Sequence, residues 1–540
     1  MIRVFQVKCA SEKKSEIEAH LLRKLHISKK DLFAWSIHRK SVDARHQKVL
    51  FSFTLDCQVA NESRCLKQKD VQKTPDESYH PVHPGTQALA NRPVVVGFGP
   101  AGMFAALTLA QAGYCPIVIE RGSAIKKRKA EVEKFWQTGK LNPECNVQFG
   151  QGGAGAFSDG KLTTRSKDAR CRKVLEEFIT FGAKEEILID QHPHVGTDAF
   201  VKIVENCRKA IEALGGSFYF DTKLEDIQLE DGKLQKICIN GKWVDCHALI
   251  VCCGHSAKDT VFMLHKRGLA MENKRFAVGV RIEHLQTSIN RFMLKDAWQD
   301  PRLIPARYQL THTASNGKGV YTFCMCPGGY VIPSSSEVGK TVINGMSYAA
   351  RDGVNANSAL LVQVDENDYG FQLFDGLKYQ EALEEKAYHL AGGYQACVQL
   401  AKDYIEGKPS HHFEQVQPSY ALGYQFIDLN TLFSPEVNQA LKEALLAYEK
   451  KIPGFVSDGA VLSAVESRSS SSIRILRQQD FQSNIQGIYP SGEGSGYAGG
   501  IMTSAIDGIR AAEKLIETFS LPQYNNRLED QGGMTYGKKL

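Results

Sequence analysis

Apolar and polar residues alternate at the start of the chain, and the pattern then changes to helical spacing. The segment IRVFQVKC, residues 2–9, alternates as a half-buried strand does. In the following segment, SEIEAHLLRKLHI, Ile17, Leu21 and Leu25 recur at helical spacing. Two further alternating segments, LFAWSIHRKSVD and KVLFSFTLDCQV, predict two more strands. The pattern therefore predicts a small β-α-β-β module of ferredoxin-like type over residues 1–66.

The pattern changes again after this module. Residues 67–92 contain several prolines and few apolar residues, so we expect a linker there. PVVVGFG then predicts a short buried strand, AGMFAALTLAQAG a helix, and PIVIERG a second strand. Residues 276–365 are rich in strand patterns, and residues 376–405 and 436–451 have helical spacing. The final polar residues, 518–540, predict a loosely held tail.

The first strand–helix junction after the linker carries a G-x-G-x-x-G pattern at Gly97, Gly99 and Gly102. The first glycine permits a tight turn, the second lets backbone approach a diphosphate, and the third lets helix and strand pack closely. The free N–H groups of the helix N-terminus favour the phosphates. Glu120 ends the second strand, where it can accept hydrogen bonds from ribose hydroxyls and would repel a 2′-phosphate. This predicts a dinucleotide site, whose other members are Pro100, Ala101 and Arg121.

A second glycine-rich junction, GIYPSGEGSGYAGG, lies near the end of the chain and precedes an amphipathic helix. Ile501 is the first of the apolar residues at helical spacing, so we expect the helix to begin near Gly499 and Gly500. Its unpaired N–H groups carry partial positive charge. Directed at the N1–C2=O side of an isoalloxazine ring, they would stabilise an anionic reduced flavin. FAD is therefore the favoured dinucleotide.

Several segments of the chain resemble flavoproteins. ALIVCCG, which ends at Gly254, resembles the strand and glycine that flavoproteins of the glutathione-reductase-like class place under the cofactor. Gly492 and Glu493 resemble their C-terminal flavin motif, in which Gly-Asp is usual. With NVQFGQGGAGAFSDGKLTTR, HVGTD, CCGHSAKDT, FAVGVRIEH and FCMCPGGYVIPSSSE, these segments resemble a family of uncharacterised bacterial and plastid FAD-dependent dehydrogenases with a small N-terminal domain. The resemblance covers nearly the whole chain.

This resemblance implies a fold class and a cofactor. We expect an α/β protein whose discontinuous Rossmann-type FAD-binding domain comprises residues 93–275 and 452–517. A β-rich plus helical substrate domain, residues 276–451, would be inserted into it. In related flavoproteins a glycine-rich stretch such as 150–160 lines the isoalloxazine and the diphosphate; the alternative is a turn that packs under a sheet. If the stretch lines the flavin, the residues near the ring are Gly153, Ser158, Asp159 and Lys161.

Four residues are candidates for the chemistry. Cys324 and Cys326 lie in FCMCPGG, where a strand would point both thiols to one face. The alternative is a pair of small buried hydrophobic side chains. His255 follows the glycine under the cofactor and is either a proton donor or a residue that contacts backbone. Lys161 is a candidate cation near a developing flavin charge.

A third polar segment, SAVESRSSSSIRI, predicts an irregular loop before the last strand. There Glu466, Arg468 and Arg474 either bind an anionic substrate or lie in solvent. The apolar run ALIVCCG places Cys252 and Cys253 in the core. The histidines without partner spacing are expected to be structural, namely His192, His194, His411 and His412.

The composition of the 540 residues excludes several classes of protein. No run approaches the roughly 18 apolar residues of a membrane span, and the N-terminus lacks the apolar segment of a secretory leader. We therefore expect a cytoplasmic protein. The 14 cysteines lack metal-ligand spacing, so we expect a reducing compartment and no metal.

The net charge of +6 is concentrated in residues 1–90, where 16 Lys and Arg face 10 Asp and Glu. This asymmetry motivates a second hypothesis, a flavoprotein that binds or modifies RNA through its N-terminal module. A third hypothesis makes the module a docking surface for a protein partner. The basic residues of the proposed RNA-binding face are Lys29, Lys30, Arg39, Lys40 and Arg45.

The leading hypothesis is a FAD-dependent oxidoreductase, a dehydrogenase or reductase in which a hydride enters or leaves at flavin N5. Its substrate would be a small molecule, whose identity the motifs leave open. NADH and NADPH are the candidate electron donors. An oxygenase is a further alternative.

Overall fold

The computed structural model describes residues 1–44, 49–164 and 166–522. Its α-helices are α1 Lys14–Leu25, α2 Glu62–Cys65, α3 Pro100–Gln111, α4 Ile125–Thr138, α5 Arg170–Thr180, α6 Thr197–Ala213, α7 Lys258–Lys266, α8 Gln286–Leu294, α9 Glu366–Tyr369, α10 Asp375–Ala391, α11 Ala401–Glu406, α12 Pro435–Lys451 and α13 Ile501–Thr518. Its strands are β1 Ile2–Cys9, β2 Leu32–Asp43, β3 Leu50–Val59, β4 Val71–Lys73, β5 Val94–Val96, β6 Ile117–Ile119, β7 Ser217–Tyr219, β8 Leu224–Glu230, β9 Lys233–Ile239, β10 Lys242–Asp245, β11 Leu249–Val251, β12 Met271–Asn273, β13 Phe276–Leu285, β14 Thr311–Thr313, β15 Gly319–Cys326, β16 Tyr330–Pro333, β17 Ile343–Met346, β18 Asn355–Val364, β19 Ala396–Leu400, β20 Tyr424–Phe426, β21 Val461–Glu466, β22 Ile473–Ile475 and β23 Ile488–Pro490.

The N-terminal module is an antiparallel sheet of order β2-β3-β1-β4, with α1 packed on it. Ile17, Leu21 and Leu25 of α1 are buried, as their spacing predicts. The fourth strand, β4, lies inside residues 67–92, the segment predicted to be a linker. Pairing of β4 with β1 gives its backbone groups partners, which explains how a segment with few apolar residues becomes ordered.

The two strands predicted on either side of the G-x-G-x-x-G helix lie in a parallel sheet of order β23-β11-β5-β6-β7. Its strands are only three residues long and almost wholly apolar, as strands covered on both faces are. Helix α3 is apolar around its whole circumference and buried between this sheet, α6 and α13. The strands come from residues 94–251 and 488–490, so the sheet joins both halves of the chain.

A seven-stranded sheet of order β14-β15-β18-β13-β21-β19-β20 forms the body of the inserted region. The segment around β19, predicted to be helical, is a strand, because its five residues are buried in the interior of this sheet. Strand β21 pairs with β13 and β19, so the sheet extends beyond the predicted boundary at residue 451. Helices α10 and α12 pack against it at the places where helical spacing predicts them.

Lys40 is one of the residues through which the N-terminal module contacts the rest of the protein. Its backbone N–H donates to the Ile189 carbonyl at 2.6 Å, and its carbonyl accepts from the Gln191 N–H at 2.9 Å. The Lys40 ammonium pairs with Glu12 at 3.2 Å and with Asp190 at 3.4 Å. The ammonium proposed for an RNA-binding face is therefore engaged by two carboxylates, and Arg45 lies outside the described residues.

Candidate functional site

A cavity of about 480 Å³ lies where the parallel sheet meets the inserted region. Its wall includes the N-termini of α3 and α13, which come from opposite ends of the chain. Most residues predicted for the cofactor and the chemistry line it: Gly97, Gly99, Pro100, Ala101, Glu120, Arg121, Gly153, Ser158, Asp159, Lys161, Gly254, His255, Cys324, Glu493, Gly499, Gly500 and Ile501. Three predicted residues lie behind the wall instead, namely Gly102, Gly492 and Cys326.

The glycines of the α3 turn have distinct physical roles. Gly97 has a φ of +91°, and a Cβ there would lie 2.5 Å from the Cys252 carbonyl oxygen. A Cβ on Gly102 would collide with the Gly97 carbonyl oxygen, so this glycine lets the helix approach the strand. Gly99 differs, since its Cβ would lie 3.5 Å from the Cα of Gly153, an ordinary contact. The protein itself thus tolerates a side chain at Gly99, and the free space there belongs to the cavity.

The α13 turn reaches the same cavity because the two helices approach each other closely. Gly508 of α13 lies against the Ala101 carbonyl, where a Cβ would collide. Asp507, which the sequence analysis missed, holds the preceding loop: its carboxylate accepts from the Gly492 N–H at 2.7 Å and from Arg477 at 2.7 Å. Asp507 is a positioning residue, and its only sequence signal is a carboxylate on the buried face of an amphipathic helix.

Glu120 is buried at the end of β6, as predicted, and its carboxylate accepts three backbone hydrogen bonds. Gly122 and Gly150 donate to Oε1 at 3.0 and 2.9 Å, and Phe98 donates to Oε2 at 2.8 Å. A carboxylate has about four acceptor positions, so one position on Oε2 stays available. Neighbouring Arg121 is held by both oxygens of Asp259, at 2.6 and 2.7 Å.

Arg128 of α4 organises the glycine-rich loop and was not anticipated from the sequence. Its guanidinium is fully buried and donates five hydrogen bonds of 2.8–3.2 Å to the carbonyls of Asn146, Val147, Gly150, Gln151 and Gly153. Burial lowers the pKa of this guanidinium to about 10. In the sequence it is one of several cations in the run IKKRK, so nothing local separates it from its exposed neighbours.

Beyond the loop, Gly254, His255 and Glu493 meet at one side of the cavity. The His255 ring contacts the Arg468 carbonyl through Nε2 at 2.8 Å, which orients the ring by a backbone contact. Burial raises the pKa of Glu493, while His255 and Lys274 oppose that rise. Within the described residues no hydrogen bond or ion pair occupies the Glu493 carboxylate.

Asp159 and Lys161 bring charge to the wall. Asp159 is fully buried, and each of its carboxylate oxygens accepts a hydrogen bond from the Arg351 guanidinium, at 3.1 and 2.5 Å. Burial alone would raise the pKa of Asp159, but Lys161 and Arg351 lower it below 3.8. The Lys161 ammonium lies 3.7 Å from Asp159, donates to the Met325 carbonyl and stands 4.0 Å from the sulfur of Cys324. Ser158 turns its hydroxyl to the Gly155 carbonyl at 2.9 Å.

Cys324 and Cys326 lie together at a bulge in β15. Between Phe323 and Cys326 this strand has one residue more than the facing segment of β18, and Cys324 has a φ of +42°. Cys324 lines the cavity and Cys326 is buried behind it. A hydrogen bond with Cys326 lowers the pKa of the Cys324 thiol, burial opposes this, and Lys161 and Arg281 lower it further. The pKa of Cys326 is raised, first by its hydrogen bond with Cys324 and then by burial.

Arg281 is the second cation at this pair and was also missed. It donates to the Cys324 carbonyl at 2.7 Å, and its Nη2 lies 3.9 Å from the Cys326 sulfur. The other terminal nitrogen of its guanidinium, Nη1, forms an ion pair with the Glu466 carboxylate at 2.8 Å. Burial raises the pKa of Glu466 to about 7, an effect that Arg281 opposes.

The loop prediction for SAVESRSSSSIRI, residues 463–475, is wrong at both ends, because its first residues belong to β21, which is buried in the large sheet, and its last three form β22. Residues 467–472 between them lie outside any helix or strand, as predicted. Glu466 and Arg468 line the cavity but are engaged by Arg281 and by Glu384, respectively. Arg474 pairs with Glu272 at 3.1 Å, away from the cavity wall.

The core prediction for the vicinal cysteines holds only in part. Cys252 is buried and Cys253 is partly exposed, but both also line the cavity. They follow β11 directly, at the carboxyl end of a parallel strand, where side chains face the ligand-binding edge of such a sheet. Burial lowers the pKa of His194 to about 4, and the neighbouring cation of Arg351 lowers it further.

Comparison with known proteins defines the class of the chain. Residues 275–469 match a family model described as FAD-dependent protein, C-terminal domain-like, and residues 1–58 match a domain of unknown function. The chain therefore carries a domain of FAD-dependent proteins, as the motifs predict. The matched region also includes β21, in agreement with the extent of the large sheet.

An uncharacterised protein of Clostridium beijerinckii is 46% identical to this chain over 517 residues, which cover 94% of the chain and 97% of that protein. The chain belongs to the same family as this Clostridium beijerinckii protein. Solved structures that it resembles include glycine oxidase from Bacillus cereus (12% identity, 79% of this chain and 95% of that one, TM-score 0.29). Another is L-proline dehydrogenase from P. horikoshii (11% identity, 80% and 94%, TM-score 0.32). Within the described residues no helix has both the length and the apolar character needed to cross a bilayer.

Proposed function

We propose that the protein is a FAD-dependent oxidoreductase in which a hydride passes between flavin N5 and a small-molecule substrate. The observation that carries this proposal is the convergence of the α3 and α13 N-termini on one cavity. Bound FAD would supply two-electron chemistry that amino-acid side chains lack. The chain's own residues bind and orient the cofactor and set the charge around it.

The residues of the cavity fit such a cofactor. Around Gly99 the backbone of α3 is open, and the helix N-terminus offers unpaired N–H groups to a diphosphate. The remaining acceptor position of Glu120 would take a ribose hydroxyl. Gly499 and Gly500 expose the α13 N-terminus, whose partial positive charge would face the flavin.

The same wall carries the groups that would act on a substrate. Lys161 holds a positive charge at the cavity while Asp159 and the Met325 carbonyl fix its position. His255, oriented by the Arg468 carbonyl, presents a ring that can carry a proton at Nδ1. We propose Lys161 and His255 as catalytic groups, together with the thiols of Cys324 and Cys326.

The substitution Gly99→Ala tests whether the cavity binds FAD. Its Cβ would meet only an ordinary 3.5 Å contact within the protein, and Gly99 has an extended backbone, so we expect an unchanged unfolding midpoint. A ligand approaching this backbone would meet the new methyl group, so FAD affinity should fall by about tenfold or more, about 1.4 kcal/mol. The measurement is a fluorescence titration of the apoprotein with FAD.

Gly499→Ala is the matched variant at the second helix, because its Cβ would meet no protein atom within 4 Å. Equal FAD affinity in wild type and both variants would refute the proposed site.

Anaerobic mixing of the FAD-loaded protein with NADH, and separately with NADPH, tests the electron donor. Hydride transfer from either would bleach the flavin absorbance, and a spectrum that stays unchanged with both would eliminate nicotinamide donors.

A further inference from the structure

We propose that Cys324 and Cys326 form a reversible disulfide and that the cavity uses this pair to reduce a low-molecular-weight disulfide substrate. The inference rests on the proposed function for its reduced flavin and names a substrate class for the same cavity. This substrate would react with the thiols, and the hydride that enters at flavin N5 would come from the electron donor. It depends on four features of the wall: two adjacent thiols, their unequal exposure, two neighbouring cations, and a bulge that brings the thiols together.

The backbone geometry permits the disulfide. In a regular strand, residues two apart have their Cα atoms about 6.6 Å from each other, close to the upper limit of about 6.8 Å for disulfides. β15 departs from a regular strand at this point, because a bulge lies between Phe323 and Cys326 and Cys324 has a positive φ. Bending of a strand at a bulge brings residues two apart closer than they are in a regular strand. The Cys326 thiol donates to the Cys324 carbonyl oxygen at 3.2 Å, so its sulfur already lies beside the residue with which it would form the disulfide.

The charges around the pair assign different roles to the two sulfurs. Lys161, 4.0 Å from the Cys324 sulfur, favours its thiolate, which is the nucleophilic form. Arg281 lies 3.9 Å from the Cys326 sulfur but shares its charge with Glu466. Cys324 faces the cavity, whereas Cys326 is completely buried. An incoming disulfide can therefore reach Cys324 first, and Cys326 is placed to act second.

The reaction balances in two exchange steps. The Cys324 thiolate attacks one sulfur of the substrate, its S–S bond breaks, and one substrate thiolate leaves while a mixed disulfide forms on Cys324. Cys326 then attacks the Cys324 sulfur, its proton passes to a departing substrate thiolate, and the second substrate thiolate leaves as the Cys324–Cys326 disulfide closes. That disulfide would return to two thiols by taking up two electrons from reduced FAD under the proposed function and two protons, of which the anionic reduced flavin carries one and solvent supplies the other.

Glutathione disulfide is the probe for the experiment, and the full-length FAD-loaded protein is the material. Trypsin cleavage after Lys318 and Lys340 releases a peptide that contains Cys324 and Cys326 and no other cysteine. After incubation with the probe and alkylation, mass spectrometry of this peptide should show loss of two hydrogens and no alkyl group. Two alkylated cysteines in this peptide, with the probe in large excess, would overturn the proposal.

Two serine variants separate the roles of the sulfurs. In Cys326→Ser the second step is absent, so glutathione should accumulate on Cys324 as a mixed disulfide. In Cys324→Ser the buried Cys326 should acquire at least tenfold less glutathione. Cys171→Ser, a partly exposed cysteine on α5, is the matched control and should form the intramolecular disulfide like wild type. Equal labelling of the two variants would contradict the assigned order.

Photoreduction of the FAD-loaded, oxidised protein tests the link to the cofactor. Two thiols should reappear in the Cys324–Cys326 peptide, and they should not reappear in an apoprotein treated identically. FAD binding is read separately by fluorescence titration of wild type and of Cys171→Ser, a residue outside the cavity wall, and the two should have equal affinity. A protein that binds FAD but forms no disulfide refutes only this inference, whereas a protein that forms the disulfide but binds no FAD refutes the proposed function.

Discussion

The substitution Arg128→Met removes the buried guanidinium that holds the glycine-rich loop at 146–153. Methionine is unbranched and apolar and reaches about as far as the Nε of arginine, so the change keeps the buried stem and deletes the charge and its five donors. Five backbone carbonyls lose their partner. The loop contains Gly153, which forms one side of the cradle opposite Gly99. We therefore expect a loss of stability together with weaker FAD binding.

The magnitude follows from two opposing contributions. Hydrogen bonds to a charged group contribute about 1.5–3 kcal/mol each, but burying a guanidinium costs several kcal/mol. Breaking one side of a buried charged network typically costs about 3–5 kcal/mol, and we expect the free energy of unfolding to fall by that amount. The cavity wall moves with the loop, so FAD affinity should fall at least tenfold, about 1.4 kcal/mol.

Urea unfolding followed by tryptophan fluorescence measures the stability of the apoprotein. Trp136 lies on α4 with Arg128 and donates to the Pro333 carbonyl at 2.9 Å, so its emission reports on this region. Lys129→Met is the matched control because it removes the same charge from an exposed neighbour, and it should change stability by less than about 0.5 kcal/mol. Equal urea midpoints and equal FAD affinities for the two variants would refute the role given to Arg128.

Three further predictions concern the same wall. Gly102→Ala forces α3 away from the Gly97 carbonyl, so it should cost about 1–3 kcal/mol of stability in urea unfolding; wild-type stability would contradict the close packing. Asp507→Asn removes the buried carboxylate that pairs with Arg477 and weakens the hydrogen bond from the Gly492 N–H, so the free energy of unfolding should fall by about 3 kcal/mol. The control Arg510→Gln, at an exposed neighbouring position, should show no such loss. Asp159→Asn removes a carboxylate whose pKa is lowered in the folded protein, so the stabilisation it gives is present above pH 3.8 and disappears as the pH falls below that value. Urea midpoints of wild type and Asp159→Asn should therefore converge in acid, and a difference that persists there would exclude the Arg351 pairing as its source.

Short-range patterns in the sequence determined the strand–helix–strand unit around α3 and the residues that it contributes to the cavity wall. The glycines at Gly97, Gly99 and Gly102, the strands beside them and the carboxylate at Glu120 all act within one strand–helix–strand unit, so their spacing reveals their role. The α13 N-terminus was predicted for the same reason. Local periodicity likewise gave α1, α10 and α12.

The tertiary structure decided which charges meet. Asp159 and Arg351 are 192 positions apart, and Arg281 and Glu466 are 185 apart, so no spacing rule connects them. In the sequence Arg128 is one basic residue among several, and only the tertiary structure shows that it is buried under the loop while its neighbour Lys129 is exposed. The segment that contains β21 looked like a polar loop because Glu466 finds its partner, Arg281, only inside a sheet built from distant strands. A buried charge needs a partner, whereas an exposed one is solvated by water, so burial decides which polar residues form a site. Burial depends on how the whole chain packs, which short-range patterns do not reveal.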